Sequence, residues 1–329
     1  MLSSGQNILY VFPGQGSQYK GIGSDLYQEY PVVRNVYDQA SKVLGYDIAE
    51  LSFRDPEEQI NLTRFTQPVL LTHSIACLEV FREITDDRLK PVMAAGHSLG
   101  EYSALVAAGV LSFESALGLV QTRGDLMGSH GEGEMTAFAL NVDAIRPIAE
   151  RYHCAIAGCN LPEQTVIGGR SEDLEMVEQV VQEQFERARP VRLKTEGAFH
   201  TYYMVKAAQH YRPVLQAANF AASEVRVLSN FSGGFHVMDA VNIRAGLFFQ
   251  LFNPVLWHSN LQTAFSEGID TVIEFGGGIG PAADPDGKRP NLQGMIKRVL
   301  RASGQQAHYQ SVINSKSLNE AVDFVRPAE

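Results

Sequence analysis

Val92-Met93-Ala94-Ala95-Gly96-His97-Ser98-Leu99-Gly100-Glu101-Tyr102-Ser103-Ala104-Leu105 is the stretch whose reading decides the fold. Residues 92–96 predict a short apolar strand, and residues 99–111 predict a helix. Between them sits Gly96-His97-Ser98-Leu99-Gly100, a serine flanked by two glycines. A G-x-S-x-G pattern between strand and helix is the setting of a nucleophile elbow. The glycines allow a sharp turn without Cβ clashes, so the Ser98 hydroxyl projects clear of the sheet. Amides at the start of the helix, with its dipole, point at the same spot and can hold a developing oxyanion.

Outward from the elbow, the first third alternates strand and helix. Residues 8–12 form an apolar strand. Residues 67–84 carry Leu71, Ile75, Leu78 and Phe81 at helical spacing. Ser112 caps a further helix running to about Met127. This is the rhythm of a parallel sheet covered by helices. The middle third changes. Strands are expected over 134–140, 154–159, 165–168 and 190–193. Helices are expected over 143–152, capped by Asp143, and over 171–185, whose Leu174, Val177, Val180 and Val181 share one face. The order β-α-β-β-α-β is the ferredoxin-like arrangement. Residues 131–196 therefore read as a small domain inserted into a larger α/β domain made of residues 1–130 and 197–329. The last third resumes the alternation, with a strand over 271–275 entering Gly276-Gly277-Gly278. The tail beyond about Ser303 reads as polar.

The 329 residues are 45% hydrophobic and 19% charged, with 29 glycines, the balance of a globular enzyme with a sizeable core. No apolar run approaches the roughly 18–20 residues of a membrane span. The N-terminal residues 1–7 lack a basic region, so no signal peptide and no membrane are expected, and the default location is cytoplasmic. A net charge of −10 disfavours nucleic acid as a partner. Three cysteines do not make a disulfide framework. Cys154 and Cys159 have no further ligand at zinc spacing, so no metal is expected.

A serine needs a base at neutral pH. Nine histidines are available. His200, in Gly197-Ala198-Phe199-His200, lies where the chain returns to the large domain, and domain junctions are where clefts form. His97 is expected to point off the turn, away from Ser98. His73, His130, His153, His210, His236, His258 and His308 read as surface or structural residues. Phe12-Pro13-Gly14-Gln15-Gly16-Ser17-Gln18 follows the first strand but fits neither the dinucleotide nor the P-loop pattern, and neither does the triple glycine. By its position alone Arg123 reads as an exposed helix arginine.

Taken together, Phe12-Pro13-Gly14-Gln15-Gly16-Ser17-Gln18, Thr66-Gln67-Pro68, the elbow through Leu105, Arg123-Gly124 with Met127, Gly197-Ala198-Phe199-His200, and Gln250-Leu251-Phe252-Asn253-Pro254-Val255 with Trp257 carry a resemblance. The chain resembles the malonyl-CoA:acyl carrier protein transacylase family, including its free-standing, trans-acting members that serve polyketide synthases. The resemblance implies an α/β-hydrolase-like large domain with an inserted ferredoxin-like domain. It implies Ser98 as the acylated nucleophile and His200 as the base. It implies the amides of Gln15 and Leu99 as the oxyanion hole, and the main-chain carbonyl of Gln250 in place of a triad acid. Arg123 matches the arginine that pairs with the malonyl carboxylate, a fit for a guanidinium fork. His97 and Phe199 are further substrate-binding candidates, Phe199 standing where a bulky residue disfavours branched extenders.

The implied reaction carries malonyl from malonyl-CoA to the phosphopantetheine thiol of an acyl carrier protein, with no cofactor beyond the coenzyme A thioester. The pathway is polyketide or fatty-acid biosynthesis, and the departures from the family pattern favour the former. Those departures are Thr201-Tyr202-Tyr203-Met204 after the histidine, Gly277 in place of a proline, and the segment 281–290. The alternatives are a carrier-protein thioester hydrolase and a transferase of a non-malonyl group. An acidic carrier would need a local basic patch, for which Lys288-Arg289, Lys297-Arg298, or Arg192 with Lys194 are candidates.

Overall fold

The five side chains of the first apolar run are all buried, and they alternate between two cores. Ile8, Tyr10 and Phe12 enter one, Leu9 and Val11 the other. A strand apolar on both faces belongs in a sheet covered on both sides. The structure, a computed structural model describing residues 7–186 and 188–325, has it at the centre of such a sheet. Residues 1–6, read above as lacking a basic region, lie outside the described residues.

In chain order, β1 (Ile8–Phe12) is followed by α1 (Ser24–Glu29), α2 (Pro31–Leu44), α3 (Ile48–Phe53), α4 (Thr63–Ile84), β2 (Met93–Gly96), α5 (Gly100–Ala107) and α6 (Phe113–Ser129). Then come β3 (Glu134–Phe138), α7 (Val142–Arg151), β4 (Ala155–Leu161), β5 (Gln164–Gly169), α8 (Ser171–Gln184) and β6 (Val191–Leu193). The chain closes with α9 (Val205–Ala217), β7 (Arg226–Val227), α10 (Ala240–Gln250), α11 (Trp257–Ser266), β8 (Thr271–Phe275), α12 (Gln293–Ser303), β9 (His308–Val312) and α13 (Ser315–Val325). The larger sheet has the order β7-β2-β1-β8-β9 with every pair parallel. The smaller has the order β4-β5-β3-β6 with every pair antiparallel. The protein is thus a mixed α/β chain built on a parallel sheet.

Four boundaries differ from the sequence reading, each for a local reason. Helix α4 begins at Thr63, a turn before the expected start, with Pro68 inside it. Proline lacks the N–H that would bond the Arg64 carbonyl. Gln121 Nε2 reaches that carbonyl instead, at 3.3 Å. Helix α5 stops at Ala107, where Gly109 at φ 71° turns the chain and Val110 N–H closes on the Leu105 carbonyl. Helix α7 is capped by Asn141, whose Oδ1 accepts from Ala144 N–H at 2.8 Å; Asp143 is in the first turn instead. The tail read as polar forms β9 and α13. Strand β9 lies at the sheet edge with only Val312 buried, so its outward residues are polar, while α13 buries Leu318, Ala321 and Val322.

The smaller sheet packs α7 and α8 on one face through Phe138, Ile145, Ile156, Ile167, Leu174 and Val177. Its other face, with Met135, Ala157 and Val166, meets Met127 and Phe199. Strand β4 is stitched to the larger part by two backbone bonds, Cys159 N–H to the Val255 carbonyl and Val255 N–H to the Ala157 carbonyl. The two sheets thereby enclose a cleft at the end of β2.

Candidate active site

At the end of β2 the chain reverses within three residues. A Cβ on Gly96 would lie 1.8 Å from the Gly100 carbonyl carbon, and one on Gly100 would lie 2.2 Å from the Phe12 carbonyl oxygen. No side chain fits either place. Ser98 sits at φ 53°, a left-handed conformation that costs a serine energy and persists only where the surroundings hold it. Asn230 does so. Its Oδ1 accepts from Ser98 N–H at 2.6 Å, and its Nδ2 donates to the Gly96 carbonyl at 2.8 Å.

His200 also has a left-handed backbone, at φ 61°. Its Nε2 is 2.7 Å from Ser98 Oγ, and its Nδ1 is 2.7 Å from the main-chain carbonyl of Gln250. A carbonyl only accepts, so Nδ1 carries the proton, leaving Nε2 free to accept the serine O–H. Burial, followed by the Arg123 charge, pushes the His200 pKa down to about 3, so the ring is neutral at neutral pH. Serine, imidazole and carbonyl thus form a proton-accepting chain without a carboxylate.

Arg123, from α6, is 1% exposed, against the solvent-facing arginine its helix position alone suggests. Nη1 donates to Gln67 Oε1 at 2.9 Å, and Nη2 to Gln250 Oε1 at 2.9 Å and to Ser98 Oγ at 3.1 Å. Its Nε has no hydrogen-bond partner, and no carboxylate among the described residues lies within ion-pair distance of it. A buried cation facing only neutral acceptors is costly to maintain, and an anion is what would relieve it.

His97 turns from Ser98 toward Asn160 and still lines the cleft. Its Nε2 meets Asn160 Oδ1 at 2.9 Å, and its ring stands edge-on to Trp257. Burial lowers its pKa, so this ring too is neutral. Phe199 packs with Met127, Met135, Ala157, Val166 and Met204 as the apolar wall. Gln15 and Leu99 line the same cleft, of about 770 Å³, and among the described residues no hydrogen bond holds either of their backbone N–H groups. The eight residues singled out from the sequence are therefore assembled at one place.

Four polar residues there were not singled out for roles: Asn160, Asn230, Glu101 and Gln67. Glu101 and Gln67 sit inside recognisable motifs, but nothing in their spacing shows that they turn inward. Among the other histidines, His73 is fully buried beside Cys77, and His236 meets Glu101. All three cysteines are free thiols. Two departures have physical reasons. Gly277 has φ 70°, which a proline ring forbids, and it packs against Ser17 and Pro13. Tyr202 and Tyr203 stack at 4.5 Å, and the Tyr202 hydroxyl donates to the His153 carbonyl. Arg192 is not a free docking charge, being held by Glu134 and Glu178.

Comparison with known proteins agrees with this geometry. The acyl transferase domain family matches residues 9–276. A malonyl CoA-acyl carrier protein transacylase of Bacillus subtilis (strain 168) is 35% identical over 303 residues, covering 89% of this chain and 90% of that protein. The polyketide biosynthesis malonyl CoA-acyl carrier protein transacylase PksC of the same organism is 35% identical over 275 residues, covering 82% of this chain and 93% of that protein. Among solved structures, a malonyl-transacylase in complex with its type II PKS acyl-carrier protein matches with a TM-score of 0.85 and 33% identity, over 97% of this chain and 100% of that one. Agreement of sequence and fold over nearly the whole length, around a hydrogen-bonded serine–histidine pair, makes this chain a member of the acyl transferase domain family, among the malonyl CoA-acyl carrier protein transacylases.

Proposed function

We propose that the enzyme transfers a malonyl group from coenzyme A to the phosphopantetheine thiol of an acyl carrier protein, through an acyl ester on Ser98. The observation that carries this reading is Arg123, a fully buried guanidinium without a carboxylate partner, 3.1 Å from Ser98 Oγ. Only an acyl group with a distal carboxylate uses that charge.

The malonyl carboxylate settles on Arg123, which places the thioester carbonyl against Ser98. Ser98 Oγ attacks the carbonyl carbon as its proton passes to His200 Nε2. The imidazolium is steadied by its Nδ1–H bond to the Gln250 carbonyl. The oxyanion meets the backbone N–H groups of Gln15 and Leu99, each contributing about 3 kcal/mol. The carbon–sulfur bond breaks, and coenzyme A leaves with the proton from His200. The carrier thiol then attacks the acyl-serine by the same steps reversed. Arg123 has a second effect. Its charge is the second-largest cause of the low His200 pKa, and a bound carboxylate offsets it, so the base strengthens when the proper substrate arrives.

His97, with Asn160, and Phe199 bound the acyl pocket. The Phe199 ring, 5% exposed among methionines, stands where a branched acyl chain would go. The fold is read more finely as an α/β-hydrolase-like domain, residues 1–130 and 197–329, carrying a ferredoxin-like insert over 131–196. The antiparallel order β4-β5-β3-β6 supports the insert. An acidic carrier would dock on the exposed Arg289, Lys297 and Arg298 and on Lys194 at the cleft mouth. Among the described residues no helix is long and apolar enough to cross a membrane, and the cytoplasm is the proposed location.

Intact-protein mass tests the reading. Wild type incubated with malonyl-CoA should gain a malonyl adduct that persists until carrier protein is added, and Ser98→Ala should gain none. An adduct that water clears within seconds would make the enzyme a thioester hydrolase. An adduct only with another acyl donor would reassign the substrate.

A further inference from the structure

We infer that Glu101 and His236 are a positioning pair behind the elbow, which sets the Gln250 side-chain amide and through it the Arg123 seat. The inference rests on the reading of Arg123 given above. Glu101 lies three residues after Ser98, in the first turn of α5, and is 0% exposed. A carboxylate only accepts hydrogen bonds, and three donors converge on this one. His236 Nε2–H reaches Oε1 at 2.7 Å. Asn230 N–H and Gln250 Nε2–H reach Oε2 at 2.9 and 3.0 Å.

The consequence falls on Gln250. Its Nε2 is held between two acceptors, the Ser98 carbonyl at 2.8 Å and Glu101 Oε2, so its Oε1 must face the other way, toward Arg123 Nη2 at 2.9 Å. A flipped amide would set oxygen against a carboxylate and a carbonyl, and N–H against a guanidinium. The charged acceptor is the stronger of the two restraints on that orientation. The Gln250 main-chain carbonyl also holds His200 Nδ1, so one residue serves both the base and the carboxylate seat.

His236 completes the arrangement. It satisfies the outer carboxylate oxygen, and its ring rests on α10 at Gly246, one turn before Gln250. A Cβ at Gly246 would stand 2.7 Å from His236 Cε1. The imidazole therefore touches both the carboxylate and the helix that carries Gln250. Neither Glu101 nor His236 lines the cleft, so both act through other residues.

The test is the rate of acyl-serine formation from malonyl-CoA relative to acetyl-CoA, alongside thermal melting. Glu101→Gln offers one oxygen to three donors, and His236→Phe keeps the ring but removes the donor. Each should lower the malonyl-to-acetyl preference about tenfold, the equivalent of one charge-assisted hydrogen bond. His236→Gln, whose amide nitrogen reaches about as far as Nε2, should restore most of it. Because His236→Phe and His236→Gln test the pair without touching the carboxylate, the inference stays open to refutation if Glu101→Gln does not fold. A merely structural role would lower both rates in parallel or only the melting temperature, and either result overturns the inference. Arg123→Ala separates the two readings. If it abolishes the preference while His236→Phe and Glu101→Gln leave it intact, only the positioning role fails. If Arg123→Ala leaves the preference unchanged, both readings fall.

Discussion

Replacing Arg123 with alanine should convert a malonyl-selective enzyme into one indifferent to the distal carboxylate. The guanidinium is 1% exposed, and Nη1 and Nη2 are spread over three neutral acceptors, with Nε unpaired. Two parallel bonds to a carboxylate, at about 1.5–3 kcal/mol each for a charged group, amount to about 3–6 kcal/mol. At about 1.4 kcal/mol per tenfold, kcat/KM for malonyl-CoA should fall about 10²- to 10⁴-fold. Acetyl-CoA, which has no carboxylate, should lose little. The substitution also removes the second-largest cause of the low His200 pKa, leaving burial and the smaller effect of His97. His200 works as a neutral base, so activity is lost as pH falls through its pKa. In Arg123→Ala the acid limb of the acetyl-transfer profile should move to higher pH. Stopped-flow release of coenzyme A from both donors, across pH, reads both effects. Equal losses for malonyl and acetyl donors, with an unmoved acid limb, would refute the argument.

Other expectations are more local. Gly96→Ala, whose Cβ would stand 1.8 Å from the Gly100 carbonyl carbon, should fail to give soluble folded enzyme, as read by circular dichroism. Asn230→Ala unpairs the Ser98 N–H and the Gly96 carbonyl, costing about 2–5 kcal/mol in denaturant unfolding, and should lower acylation further by freeing the strained elbow. Phe199→Ala opens the apolar wall and should raise methylmalonyl-CoA turnover relative to malonyl-CoA about tenfold, measured by competition (a one-methyl difference in a pocket). Glu274 is buried in β8, its pKa raised by desolvation from 4.5 to about 7. The folded state therefore holds this proton more tightly than the unfolded chain. Its contribution to stability is present below about pH 4.5 and is lost as pH rises through 7. Glu274→Gln should flatten that part of the stability–pH curve.

The elbow was legible in the sequence because its constraint is local. Two glycines flank one serine between a strand and a helix, and the turn leaves room for no Cβ at either end. The alternation of strand and helix was legible for a similar reason, since burial periodicity is written into neighbouring residues: Ile8 through Phe12 read as a short apolar strand, and it is one. The domain junction favoured His200 among nine histidines, and the resemblance to a known family then fixed it as the base and singled out Arg123 and Gln250 among many helix-borne polar side chains.

What only the tertiary structure decided is which polar side chains turn inward and meet. Ser98 and His200 are 102 residues apart, and Gln250 Nε2 reaches back 152 residues to the Ser98 carbonyl. No periodicity encodes such pairings. On helices where polar residues are scattered among apolar ones, Glu101, Arg123 and Gln250 look like any other polar position. They are set by how α5, α6 and α10 pack around the end of β2, where the hydrogen bonds from Gln250 to Glu101 and from Arg123 to Gln250 select one arrangement. His236 shows the same limit from the other side. Read as an ordinary structural histidine, it is one, and yet it holds the carboxylate behind the nucleophile, because the loop after β7 folds it against Gly246.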